Sequence, residues 1–443
     1  MLLFGIFVLL IGLFFYLIKR HLMHPGVIFN VWWGIILIID SFNQYNLVAL
    51  SKECMLYVII GVMMFNLGII FYYLIKGSNK RRINIDNKLE IDFDKKKVYN
   101  YLLIIQCIIF LFLIPMLIKV IPLYINGQIS EIRSAATTGE FADGSTFMST
   151  FERLLYIHWI IFPLTKASFV IIAILWFLGK IKNRLFVFSI LNMIIIVVLS
   201  GGRLPAFFGV IMLFFIIYFL KKYDIMKKEN LKEKKKIAVL VIIIALIYII
   251  GNGLARSTEI TTVFTSLKKS IITYFTGGLH FFSYILDRKS WFGLDQKSFG
   301  IISFRSIFYI FSQVLYYLSG KTIPLLSSRF SLASIDATYL IGDNVLFNAF
   351  PTAFYYSIRD FGLFGVIVMP LLLAIVATAF FQRLERKLSI GNLIALMECC
   401  FLIIFSVCTW MFYKQEYLMQ LIYYFIILKL IMSRSNRRSV LND

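Results

Sequence analysis

A chain of 443 residues of which 60% are hydrophobic and only 15% charged carries more apolar surface than a water-soluble fold of that length can cover. Its net charge of +22 would suggest nucleic acid as a partner in a soluble chain, but the cations cluster in short stretches between apolar runs, so no nucleic acid is expected. The composition points instead to an all-α, polytopic helical membrane protein forming a single integral membrane domain over residues 1–443.

A span takes about 20 mostly apolar residues. That rule predicts eleven spans, within a range of 10–13, near residues 2–18, 26–42, 54–75, 98–119, 155–178, 185–200, 205–220, 237–252, 362–382, 389–409 and 417–432. The first can itself act as the insertion signal, since it lacks a small-residue cleavage site. Loops and tails at 19–24, 76–97, 179–184, 221–236, 383–388 and 433–443 hold 27 of the 45 Lys and Arg. By the positive-inside rule these face the cytoplasm, which puts the N-terminus outside and the C-terminus inside a cell membrane. The lysine-rich stretch 221–236 reads as a solvated connector beside anionic lipid.

Two external loops stand out. Residues 120–153 are polar, carry Arg133 and read as a flap that turns at its glycines. Residues 253–361 are rich in Phe, Tyr, Ile and Leu, and the stretches 262–286 and 301–318 predict amphipathic helices lying on the membrane or capping a cavity. The five cysteines, Cys54, Cys107, Cys399, Cys400 and Cys408, show no CxxC spacing and read mostly as small buried hydrophobes.

At the end of the sixth span the chain reads Ser200-Gly201-Gly202-Arg203-Leu204-Pro205, a tight break between two helices with one cation at its tip. An arginine there can snorkel to water, or its planar fork can hold a phosphate through paired hydrogen bonds. The large loop closes on Asn348-Ala-Phe-Pro351-Thr and, beyond Tyr355, on Arg359-Asp360-Phe361-Gly362-Leu-Phe-Gly365. Asp360 suits the N-cap of the span that follows, and Gly362 and Gly365 would let a neighbouring helix approach closely. Lys166 and Glu398 fall inside apolar spans, where each needs a partner, and they are candidates to pair with one another. Asp92-Phe93-Asp94 has a form that can hold a divalent cation, but its mixed-charge surroundings read as a solvated face; no metal site is expected.

Together, the Asn-x-Phe-Pro-Thr segment, the tyrosine, the Asp-Phe-Gly-x-x-Gly corner and the Ser-Gly-Gly-Arg turn resemble the oligosaccharide repeat-unit polymerases, the Wzy-type O-antigen and capsule polymerases. The span count and the two external loops are similar as well, so the likeness extends over most of the chain. The resemblance implies inverting, metal-independent glycosyl transfer between polyprenyl-diphosphate-linked oligosaccharides on the outer leaflet, without a cofactor. A chain-length regulator and a flippase are the implied partners. The leaving diphosphate needs cations, for which Arg133, Arg203, Arg256 and Arg359 are candidates. Asn348 and Tyr355 are candidates to contact the diphosphate or glycan. His280 and Asp360 are candidate acid-base groups, with Glu259 and Asp336 as alternatives. A glycan ligase and a lipid-linked oligosaccharide flippase remain the competing readings.

Overall fold

The structure is a computed structural model that describes residues 1–43, 45–77, 94–141, 144–223, 225, 228–254, 263–320, 339–342, 345–347 and 351–432. Among the described residues it is mostly helical, with one two-residue antiparallel pair, Tyr339–Leu340 with Leu346–Phe347. Helix covers most of each of the eleven apolar segments, although 155–178 is divided between a π-helical turn and the helix Ile161–Phe177, and the helix in 389–409 ends at Phe405. Among the described residues, seven helices are long and apolar enough to cross a bilayer, and those starting at Pro25 and Ile390 are shorter apolar helices. The chain is a multi-pass membrane protein.

Contacts divide it into two units: residues 1–85 with 268–414, and residues 86–267 with 415–443. Unit 1 holds α1 (Leu2–Lys19), α2 (Pro25–Ser41), α3 (Lys52–Lys76), most of α11 (Val263–Leu286), α12 (Arg305–Ser319), α13 (Ala353–Phe361), α14 (Leu363–Arg386) and α15 (Ile390–Phe405). In unit 2 lie α4 (Lys95–Ile125), α5 (Ile129–Thr138), the single turn α6 (Thr150–Arg153), a π-helical turn (Leu154–Trp159), α7 (Ile161–Phe177), α8 (Asn183–Ser200), α9 (Leu204–Lys222), α10 (Lys228–Leu254) and α16 (Gln415–Met432).

Lipid offers no hydrophobic drive between helices, so small residues and polar side chains do the joining. In unit 1, α3 meets α14 where Gly68 lies so close that a Cβ would sit 2.6 Å from the Leu371 carbonyl and 2.9 Å from Ala374. A reciprocal amide pair joins α2 to α3: Asn30 Nδ2 donates to Asn66 Oδ1 at 2.7 Å and Asn66 Nδ2 returns a bond at 2.9 Å. Two tryptophans of α2 reach the end of α15, Trp32 donating to the Ile404 carbonyl and Trp33 to Ser406 Oγ. In unit 2, Asn192 of α8 donates to Gln106 of α4 at 2.8 Å, and Gln106 donates to Ser168 of α7 at 2.8 Å. These groups are buried, so each bond removes a desolvation cost of about 1–3 kcal/mol that the unpaired groups would carry.

Two expectations need correction. Asp360 does not cap the following helix; Gly362, at φ +62°, occupies that position without a side-chain cap. Gly365 has no room for a Cβ because the Ser357 carbonyl and Phe361 fill the space, so the two glycines form a sharp corner between α13 and α14 instead of a seam for a third helix. Lys166 pairs with Glu416 of α16. All five cysteines are free, four of them buried. The 262–286 and 301–318 stretches do contain helices, α11 and α12, and α12 leaves most of its apolar side chains exposed, Phe311 at 67% and Leu318 at 79%.

Candidate functional site

In unit 2, α8 stops because Gly201 turns left-handed, at φ 51°, a conformation that costs other residues roughly 1–2 kcal/mol. Ser200 Oγ accepts from the Gly202 amide at 3.2 Å, and Arg203 then occupies the N-cap of α9, with Pro205 in its first turn. The bare face of Gly201 admits α5. A Cβ there would lie 2.9 Å from the Arg133 amide nitrogen and 3.2 Å from both its Cα and Cβ. The backbone of Arg133 is therefore seated directly on the turn, against Gly201 and two residues from Arg203 in the chain, so two arginine positions far apart in sequence come to one end of this helical hairpin.

The same end of unit 2 holds a buried ion pair. Lys166 Nζ, one turn into α7, contacts Glu416 Oε1 at 2.5 Å, and the two side chains are 5% and 16% exposed. Lys166 also stands over the Phe208 ring of α9, 5.6 Å from its centroid. Next to Glu416, Gln415 accepts a 2.9 Å hydrogen bond from the Trp159 indole at the end of the π-helical turn. The sequence reading missed Glu416 by treating the first turn of the last span as loop edge. Lys166 was the signal, because a cation in an apolar helix requires a counter-ion somewhere in the chain.

Unit 1 holds the other described candidates. His280 is buried and uses both ring nitrogens: Nδ1 is 2.5 Å from the Val48 carbonyl and Nε2 is 2.6 Å from Asp40 Oδ1. A carbonyl only accepts, so Nδ1 carries a proton, and the carboxylate occupies the remaining nitrogen. The ring thus fastens α11 to the end of α2 and the following loop, with no nitrogen turned to a sugar hydroxyl.

Asp360 is fully buried and accepts from the amides of Ile302 at 3.0 Å and Ser303 at 2.6 Å. Burial pushes its carboxyl above the ordinary range, opposed by those hydrogen bonds. Arg359, 3% exposed, donates from Nη1 to Tyr355 Oη at 2.9 Å, and that phenol donates to the Phe292 carbonyl at 3.2 Å. Here the chain uses the Tyr-Arg-Asp set to hold residues 292–303 against α13. A nearby cavity of about 20 Å³ among Phe29, Phe65, Phe354, Met369, Pro370 and Trp410 is apolar and far too small for a sugar.

The structure thus sets the Arg133 backbone against the turn that carries Arg203 in unit 2 and places His280, Tyr355, Arg359 and Asp360 in unit 1. Arg256, Asn348, Glu259 and Asp336 lie outside the described residues. Among the described residues, no three His, Cys, Asp or Glu side chains gather as a metal site would require. Comparison with protein-family models, with curated proteins and with solved structures finds no match for this chain.

Proposed function

We propose that this protein polymerises polyprenyl-diphosphate-linked oligosaccharide repeat units into a cell-surface polysaccharide, by inverting and metal-independent glycosyl transfer at the outer leaflet of the cell membrane. The reading takes the chain as eleven spans with an external N-terminus, so that the Arg203 turn faces outside. A single observation carries it: α5 packs on Gly201 and so brings the backbone of Arg133 against the turn that ends in Arg203.

Guanidinium groups suit a diphosphate in two ways. Each offers a planar fork to phosphate oxygens, and their charge offsets the negative charge that accumulates as the anomeric bond breaks. The N-terminus of α9 adds the positive end of a helix dipole beside them. A hydroxyl of one repeat unit attacks the anomeric carbon of the other chain and lipid diphosphate departs, a weak base that needs no protonation by an acid.

The test replaces Arg133 and Arg203 with Ala, singly, in cells lacking their own copy of the protein. Long-chain polysaccharide should fall at least tenfold while membrane levels of the protein hold. An unchanged polymer ladder in both variants overturns the proposal. Accumulation of finished polymer on its lipid carrier would identify a ligase, and trapping of single units on the inner leaflet a flippase.

A further inference from the structure

Transfer to a hydroxyl leaves one proton to be removed, and the groups named for it from sequence do not offer themselves: both nitrogens of His280 are engaged, and Asp360 receives two backbone amides. Unit 2 contains a carboxylate better placed. Glu416 sits in the first turn of α16, with Gln415 clamped by Trp159 and its own Oε1 held by Lys166. Two other described carboxylates of unit 2 are committed elsewhere. Glu152 closes a capping box with Ser149, and Asp94 caps the far end of α4.

We propose that Glu416 is the general base of this transfer, an inference that rests on the function proposed above. The acceptor oxygen bonds to the anomeric carbon and the bond from that carbon to the diphosphate oxygen breaks, its electron pair leaving with the diphosphate. The acceptor's proton passes to the Glu416 carboxylate. Lys166 supplies the counter-charge that a carboxylate in an apolar helix needs.

Lys166 also overlies the ring of Phe208, five residues beyond Arg203, so the Lys166–Glu416 pair lies against the helix that the Arg203 turn opens.

Glu416→Gln keeps the shape and removes the base, so polymer synthesis should fall by about 10² or more, the usual size of such a contribution. The double variant Lys166→Met/Glu416→Met leaves no buried charge unpaired, a replacement often neutral for folding; it should reach the membrane at parental levels and make no polymer. Polymer within threefold of the parent from either variant, with Arg203→Ala inactive in the same cells, would overturn the base role and leave the polymerase reading standing. Failure of both variants to accumulate in the membrane would assign the pair to folding and equally overturn it. Normal polymer from Arg203→Ala would refute the diphosphate site instead.

Discussion

Replacing Gly201 with Ala tests the seat on which the two arginines meet. The substitution forces a left-handed residue to carry a Cβ, at a cost of roughly 1–2 kcal/mol. It also drives that carbon to 2.9 Å from the Arg133 amide nitrogen, 0.5 Å inside the 3.4 Å at which ordinary contact begins. Backbone cannot rotate away as a side chain can, so α5 must retreat by about that distance and take Arg133 with it. Misplacing a reacting group by about 1 Å can cost 10²-fold, and half that shift should lower polymer synthesis by about tenfold. The neighbouring Gly202 supplies the control. A Cβ there meets nothing nearer than 3.6 Å and the backbone is not left-handed, so Gly202→Ala should fall within about 0.5 kcal/mol of the parent, as surface substitutions do. Polymer ladders and thermal unfolding in detergent would be measured for both at matched membrane levels. If the two alanine variants behave alike in both assays, the packing of α5 on the turn has no bearing on activity and the reasoning fails.

Lys166→Met strands a buried carboxylate and should lower unfolding stability by about 3–5 kcal/mol, most of it recovered when Glu416→Met is added; equal losses in single and double variants would mean the charges do not interact. Asp40→Ala and His280→Ala should be coupled, with an interaction energy of about 1–3 kcal/mol in a double-mutant cycle read by thermal unfolding, whereas additive effects would contradict the 2.6 Å contact. Because burial raises the Asp360 carboxyl, the folded protein holds that proton more tightly than the unfolded chain does. Its contribution to stability is complete below the unfolded value near 3.8 and is lost as pH rises through the higher folded value. The parent should therefore gain stability over Asp360→Asn as pH falls from neutrality, and a difference that stays constant with pH would rule out a net burial cost.

Apolar run length was enough to find the helices, because a membrane span has to satisfy its backbone internally and has few ways to do so. The Ser-Gly-Gly-Arg break was legible for a similar reason: two glycines and a proline leave a helix little choice but to turn. Partnerships were not legible. Lys166 demanded a counter-ion, yet nothing along the chain pointed to Glu416, some 250 residues away. Seating Arg133 on Gly201 likewise depends on a contact between backbone atoms and a missing side chain, which leaves no trace in composition or periodicity. His280 looked like a titratable residue among aromatics, but its role was decided by Asp40 and the Val48 carbonyl, which reach it from a helix and a loop more than 230 positions earlier.

The close fit of α3 at Gly68 to α14 at Leu371 and Ala374 has a bearing on how the protein is made. Some three hundred residues separate the two surfaces, so the ribosome has synthesised most of the chain before the second one exists. The Asn30–Asn66 amide pair needs only the first three helices and can close early, sparing both side chains a wait in hydrocarbon. The glycine groove has no such early partner. Until α14 arrives it stays open to lipid, and a chain cut short before residue 363 would leave it permanently so, a surface by which quality-control proteases can tell an unfinished copy from a complete one.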